Sequence, residues 1–513
     1  MSSSKIVIKN SIVGTLAQIC SMIIGFITQR LFLRYLGLEI SGINSVIGET
    51  LGFLAFAELG VGTAITYRLY KPLAHNDRRE LTILMQLYKK LYQIIGIVVF
   101  VLGMALMLFL PVFINDASRS MRFIKSAYFI QLFSTSSTYF FAYKRSLIYA
   151  DQKQFVCKIV DITCNILFSL LRIIILVTVH NFHLYLLVQF IQSLTANIIL
   201  AYYCNKNYGY VRQKTEDRFE DVKGMFKDTK DVLLGKVAGY VYSSTDNLVI
   251  STFSGIVLAG GFSNYKYVTN AVKNLVYSMT DSITATIGNN IQLKDLDQSY
   301  QMFRRYSFIR YVVANIACTG LCICTDAFVG FAFGTQYIMD TSILYLIVID
   351  IFIGMVYGPL GEYVTVLGYF HYEKYINMIG AAINIGLSIL LVQALGVQGV
   401  LIGTCVSQVF FWIAKSVLLC WKYFESWDRF KEMWFNYMKY ILLIIGQVMI
   451  LNTLKQVVFF EQYNLISFLI EGICCVFFSG VVILVCFYKS EEYKYLADIL
   501  KKIENTLLKR IKG

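Results

Sequence analysis

The sequence predicts an all-α, polytopic membrane protein: 57% of its 513 residues are hydrophobic, only 15% are charged, and the mean hydropathy is +0.60. A soluble chain of this size carries about 25% charged residues. The apolar residues are also gathered into about fourteen runs, each near the ~20 residues a helix needs to cross a bilayer with every amide satisfied. The runs fall near residues 11–34, 43–67, 91–114, 123–143, 157–179, 184–204, 232–254, 262–288, 309–333, 342–368, 375–395, 399–421, 436–457 and 464–488. The first carries Gln18, Gln29 and Arg30 without a small-residue cleavage site, so it reads as a span and not a cleaved signal.

Composition also excludes function classes. Only 4 histidines occur, too few to suggest a histidine metal or acid–base centre, and no cofactor is expected. The 12 cysteines lie mostly inside apolar runs with no paired metal-ligand spacing, the pattern of small hydrophobes. A net charge of +14 in a soluble protein would suggest nucleic acid, yet here Lys and Arg cluster between apolar runs, where they set orientation in a bilayer. Clusters at Lys71–Lys90, Lys144–Lys158, Lys206–Lys236, Arg304–Arg310, Lys422–Lys431 and Lys489–Lys512 would all face the cytoplasm. The opposite loops hold one cluster, Arg119, Arg122 and Lys125, while the turns near His180, Gly255, Gly334 and Gly396 have none. Both termini are therefore expected in the cytoplasm. The longest loop, 205–231, is charged and too short for a soluble catalytic domain, and no P-loop is present.

That loop divides the runs into six and eight. The expected organisation is an amino-terminal lobe (1–204), a cytoplasmic linker (205–231), a second six-helix lobe (232–421), two further helices (422–488) and a cytoplasmic amphipathic tail (489–513). An even number of helices returns the second copy in the same direction, giving parallel repeats about an axis along the membrane normal.

Five short segments carry a resemblance. Leu33-Arg34-Tyr35-Leu36-Gly37 is followed by Ser41-Gly42-Ile43-Asn44-Ser45 and by Ala57-Glu58-Leu59-Gly60-Val61-Gly62-Thr63-Ala64. Later, Tyr242-Ser243-Ser244-Thr245-Asp246-Asn247-Leu248-Val249-Ile250 precedes Gly261-Phe262-Ser263-Asn264-Tyr265. These resemble the opening and the seventh and eighth helices of O-antigen type polysaccharide flippases, within the multidrug/oligosaccharidyl-lipid/polysaccharide exporter superfamily. The resemblance implies movement of undecaprenyl-diphosphate-linked oligosaccharides from the inner to the outer leaflet, with membrane lipids and the polymerase and glycosyltransferase machinery as partners and no nucleic acid. Glu58 stands where many relatives have Asp.

Charges inside spans point to the site, because an ionisable group at the bilayer centre costs about 2.5–3.5 kcal/mol and survives facing water or a partner. In the fifth run Asp161, Asn165, Ser169 and Arg172 recur at helical spacing; in the eighth, Lys266, Asn270, Lys273, Tyr277 and Asp281 do the same. Arg30 and Arg34 share a face of the first run, and Ser243, Ser244, Asp246 and Asn247 sit mid-span in the seventh. A cationic cavity between two lobes is the expected result. Arg30, Arg172, Lys266, Asn270 and Lys273 would bind the substrate, cations holding diphosphate and amides meeting sugar hydroxyls. The competing readings are snorkelling for Arg34, a structural pair for Asp161 with Arg172, and a helix–helix tie for Asp246. Glu58, Asp246, Asp350 and Glu362 are candidates for ion coupling. Gly358, Pro359 and Gly361 suggest a hinge, against close glycine packing.

The expected function is a non-enzymatic flippase working by alternating access. A cation-coupled multidrug exporter is the first alternative, disfavoured by the cationic stripes. A membrane glycan polymerase is the second, with only His180 and His183 near an outer interface to serve it.

Overall fold

A computed structural model describes residues 3–54, 61–213, 230–291, 295–458 and 463–512, and these are helical throughout, with no strand among them. Most predicted runs fall within one helix; 43–67 covers the end of one helix and the start of the next, with residues 55–60 outside those described, and 232–254 is divided between two helices. The elements are α1 (Ser3–Gly52), α2 (Val61–Ala74), α3 (Arg78–Leu106), α4 (Met121–Ala150), α5 (Gln154–Thr178), α6 (Phe182–Asn207), α7 (Lys230–Ser244), α8 (Asp246–Phe253), α9 (Ile256–Ile291), α10 (Leu296–Ala332), α11 (Thr341–Val366), α12 (Phe370–Leu395), α13 (Val397–Lys422), α14 (Trp427–Val458), α15 (Leu465–Phe487) and α16 (Glu491–Lys512). Among the described residues, ten segments are long and apolar enough to cross a membrane. α4 has the length but not the apolarity, because Ser134 to Thr138 interrupt it with hydroxyls. The chain is a multi-pass membrane protein.

Helix ends follow from local chemistry. Asp77, Ser120, Asn181, Asp295, Asp340 and Asn464 each accept a hydrogen bond from a backbone amide of the first turn they precede, satisfying donors the helix cannot. α1 holds two predicted spans, and the turn between them is Gly37, at φ 85° and ψ 175°, a conformation that a Cβ would oppose.

The helices form two compact units, Met1–Ser263 with Val392–Val397, and Asn264–Leu391 with Gln398–Gly513. The boundary falls inside α9. The core of the first unit is built from Ile43, Ile47, Leu84, Tyr88, Tyr128, Leu132 and Leu147, all buried, and the Tyr128 hydroxyl donates to the Gly103 carbonyl at 2.9 Å. In the second unit Tyr311 stacks on Tyr440 with centroids 3.8 Å apart, and Ile323, Cys324, Leu451 and Cys475 join α10, α14 and α15. α11 runs unbroken through Pro359.

Candidate functional site

In the first unit α1, α4, α5 and α6 surround a cavity of about 610 Å³ whose polar lining includes Arg145, Lys158, Asp161, Asn165, Gln192 and Asn197. The predicted α5 stripe supplies two of these, Asp161 and Asn165, while Lys158, on the same helix, was expected among the cytoplasmic charges, and Ser169 and Arg172 lie outside the lining. Arg145 reaches across from α4 to Asp161, Nη2 to Oδ1, at 2.5 Å. The side chains stay 31% and 41% exposed, and both line the cavity, where their charges can meet a ligand. Asn165 is the hub: its Nδ2 donates to Ser21 Oγ at 3.4 Å, and its Oδ1 accepts from Gln192 Nε2 at 3.4 Å and from Arg172 Nη2 at 3.4 Å. Arg172 also donates to Ser169 Oγ at 2.6 Å and lies over the Tyr185 ring at 5.5 Å.

This corrects the pairing considered for Asp161 and Arg172. Eleven residues return them to one face, but they are ~16 Å apart along the axis at 1.5 Å per residue. Asp161 instead pairs between helices with Arg145. Arg145 itself was expected in a cytoplasmic loop, since it ends an apolar run; α4 continues to Ala150 and carries it to the cavity.

A close helix contact lies elsewhere in the same unit. α1 and the start of α9 approach backbone to backbone: a Cβ on Gly42 would fall 2.1 Å from the Ile256 carbonyl oxygen, and one on Gly260 2.3 Å from that of Leu38. Polar bonds flank the contact. Glu39 accepts from the Ser118 amide at 2.7 Å and its hydroxyl at 2.6 Å, and Asp116 accepts from the Ile256 amide at 3.1 Å. Asn247 Nδ2 donates to Glu49 Oε1 at 2.8 Å, beside buried Asp246 at the break between α7 and α8. The resembling segments thus supply Gly42 to the contact with α9 and Asn247 to a separate bond with Glu49, and Asn44 Oδ1 accepts from Gln131 at 2.8 Å. Glu58 lies outside the described residues.

In the second unit the polar side chains converge on α11. Arg310, 1% exposed, donates from Nε to the Met355 carbonyl at 3.3 Å and pairs through Nη1 with Glu362 at 3.8 Å. Glu362 also accepts from the Tyr306 hydroxyl at 2.5 Å. Gln408 donates to Asp350 at 2.8 Å, and Lys415 pairs with Glu373 at 2.8 Å. Gly354, Gly358 and Gly361 share a face of α11, and a Cβ there would lie 3.4, 2.2 and 3.4 Å from Gln408, Arg310 and Lys415 respectively. These glycines admit long polar side chains. The Tyr277 ring of α9 has the Arg310 guanidinium 5.3 Å from its centroid and Lys273 Nζ at 6.0 Å. Asn270 is exposed and Lys266 half-buried on the same helix, and Arg30 is exposed on α1; the Asp281 side chain is outside those described.

Sequence reasoning assigned Arg310 to a basic cytoplasmic cluster. Three arginines between 304 and 310 hid a helix that begins at Leu296, because arginine ends an apolar run while remaining a good helix former. His183 meets Ser126 Oγ at 2.6 Å and the edge of Phe123, and His180 stacks on Tyr35.

Residues 7–284 match the family described as polysaccharide biosynthesis protein. The chain belongs to that family. No curated protein matches its sequence. Among solved structures it is similar to a lipid II flippase MurJ in an inward closed conformation, with TM-score 0.63 and 14% identity, covering 93% of this chain and 99% of that one. It is also similar to a multidrug resistance MATE family transporter of the MOP superfamily, inward-facing (TM-score 0.55, 11% identity, 79% of this chain and 94% of that) and outward-facing (0.55, 12%, 83% and 96%). At these identities the likeness establishes the fold.

Proposed function

We propose that this chain is a non-enzymatic transporter that flips undecaprenyl-diphosphate-linked oligosaccharide repeat units from the inner to the outer leaflet of a bacterial cytoplasmic membrane. The observation that carries this reading is the cavity of Arg145, Lys158, Asn165, Gln192 and Asn197 in a member of a polysaccharide biosynthesis family. Its volume of about 610 Å³ is that of a small-ligand site. Guanidinium and ammonium groups take up diphosphate oxygens, and amides both donate to and accept from sugar hydroxyls. Arg172, through Asn165, extends the same chemistry, and Lys266, Asn270 and Lys273 offer it from α9, with Arg30 in support.

The cycle is alternating access between the two predicted lobes, 1–204 and 232–421, and the Gly42–Gly260 contact supports a resting state closed at the outer face. Both termini are cytoplasmic in this scheme. Asp246, Asp350 and Glu362 are the candidates for ion coupling, and Gly358, Pro359 and Gly361 for flexure of α11. The enzymes that assemble and polymerise the repeat unit are its functional partners. The exporter fold would equally suit a multidrug transporter, but cations lining the cavity disfavour a cationic drug.

Arg172→Ala and Lys273→Ala are each expected to abolish surface polysaccharide at unchanged membrane abundance, measured by polymer immunoblot beside a blot of the protein. Wild-type polymer in both variants would remove these side chains from the site.

A further inference from the structure

The second unit holds another cavity, of about 720 Å³, among α10, α14, α15 and the start of α16. Arg304, Lys439 and Lys489 bring three cations to it against two carboxylates, Glu492 in the lining and Glu432 behind Arg304, while Phe308, Leu442, Leu443 and Phe487 form apolar wall. Arg304 is held in place from two sides, by Glu432 at 2.8 Å and Glu492 at 2.5 Å, and its Nε is buried without a hydrogen-bond partner. Lys439 and Lys489 are exposed.

The cavity rims a lipid-facing surface. Along α14, Phe435, Met438, Leu442, Ile445 and Met449 are 63%, 42%, 70%, 51% and 66% exposed, a stripe at helical spacing, and Leu442 belongs to both stripe and cavity. Such a stripe on a membrane-spanning helix faces acyl chains. Two residues beyond Phe487, the last of α15, the sequence turns basic at Lys489, marking the level where hydrocarbon gives way to headgroups. One wall therefore suits a chain and the other a phosphate.

We infer that this cavity binds an anionic glycerophospholipid from the inner leaflet, its phosphate on Lys439, Lys489 and Arg304 and an acyl chain along Leu442, Leu443 and Phe487. The bound lipid also anchors the carboxyl-terminal helix, because α16 is held at the same place through the Arg304–Glu492 pair and through Arg305 over the Tyr495 ring at 4.9 Å. A soluble anion would gain nothing from the apolar wall, and a zwitterionic lipid would leave the cation excess unbalanced. The inference is independent of the cargo assigned above.

Full-length protein, purified in mild detergent and incubated with phosphatidylglycerol or phosphatidylcholine, tests it by native mass spectrometry. Wild type is expected to retain one phosphatidylglycerol in preference to phosphatidylcholine, and loss of each lysine should reduce retention about fivefold, as removal of one basic residue from an anionic surface does. Lys439→Gln/Lys489→Gln is the principal variant; Leu442→Ala is a second that spares every charge and should weaken retention of the same lipid. Equal retention of both lipids, or full retention of phosphatidylglycerol by Lys439→Gln/Lys489→Gln, would overturn the inference. So would displacement of the lipid by millimolar pyrophosphate, which would indicate a simple anion site, or stronger retention of undecaprenyl phosphate, which would assign the cavity to a polyprenyl carrier.

Discussion

Gly42→Val is expected to abolish surface polysaccharide while leaving the protein in the membrane at wild-type abundance. The new Cβ would meet the Ile256 carbonyl oxygen at 2.1 Å and the Gly260 amide nitrogen at 3.1 Å, and both are backbone atoms that cannot rotate away. α1 and α9 must then separate, although each can remain helical. Under the proposed function, separation of these helices removes the closed state that alternating access requires and leaves the fold intact. Labelling should show the separation directly. Ile256 is 1% exposed, so Ile256→Cys should resist a membrane-impermeant thiol reagent in an otherwise native chain and react in the Gly42→Val background, read by peptide mass. Equal protection in both backgrounds, with polysaccharide retained, would show that the contact closes nothing.

Arg310→Ala is expected to destabilise the second unit by about 3–5 kcal/mol, the usual effect of removing one partner from a buried ion pair. Arg310 is 1% exposed and meets the Met355 carbonyl, Glu362 and the Tyr277 ring, so its loss removes the guanidinium from Glu362 and opens a void beside Gly358. Arg310→Met with Glu362→Gln should recover most of the loss, because the shape is refilled and no charge is stranded. Thermal unfolding of the purified protein in detergent checks both. A double variant no more stable than Arg310→Ala would mean that packing, and not the charge pair, holds α10 to α11.

The apolar runs made the helices legible, since backbone satisfaction in hydrocarbon leaves little choice but helix. Gly37 was legible as a turn for the same reason, being a short punctuation between two runs. The ends of α4 and α10 were not, because hydropathy falls at Arg145 and Arg310 while the hydrogen-bonded backbone continues past them. Charges that end a run look like loop charges until their partners are known. Those partners come from other helices: Asp161 has Arg145, sixteen residues before it, and Lys415 has Glu373. Periodicity identifies which residues share a face of one helix and is silent on what the face meets. The α5 stripe was found in this way, and the hub role of Asn165 within it was not.

The proposed function turns on one point, the leaflet in which the lipid-linked repeat unit is found. The most direct measurement is the accessibility of that lipid to a membrane-impermeant glycosidase in intact spheroplasts of a deletion strain, compared with the same strain carrying the wild-type chain. The expected result is accumulation of lipid-linked units resistant to the enzyme in the deletion strain, and their conversion to a cleavable, outer-leaflet pool when the chain is restored. Units equally cleavable without the chain would contradict its role in moving them.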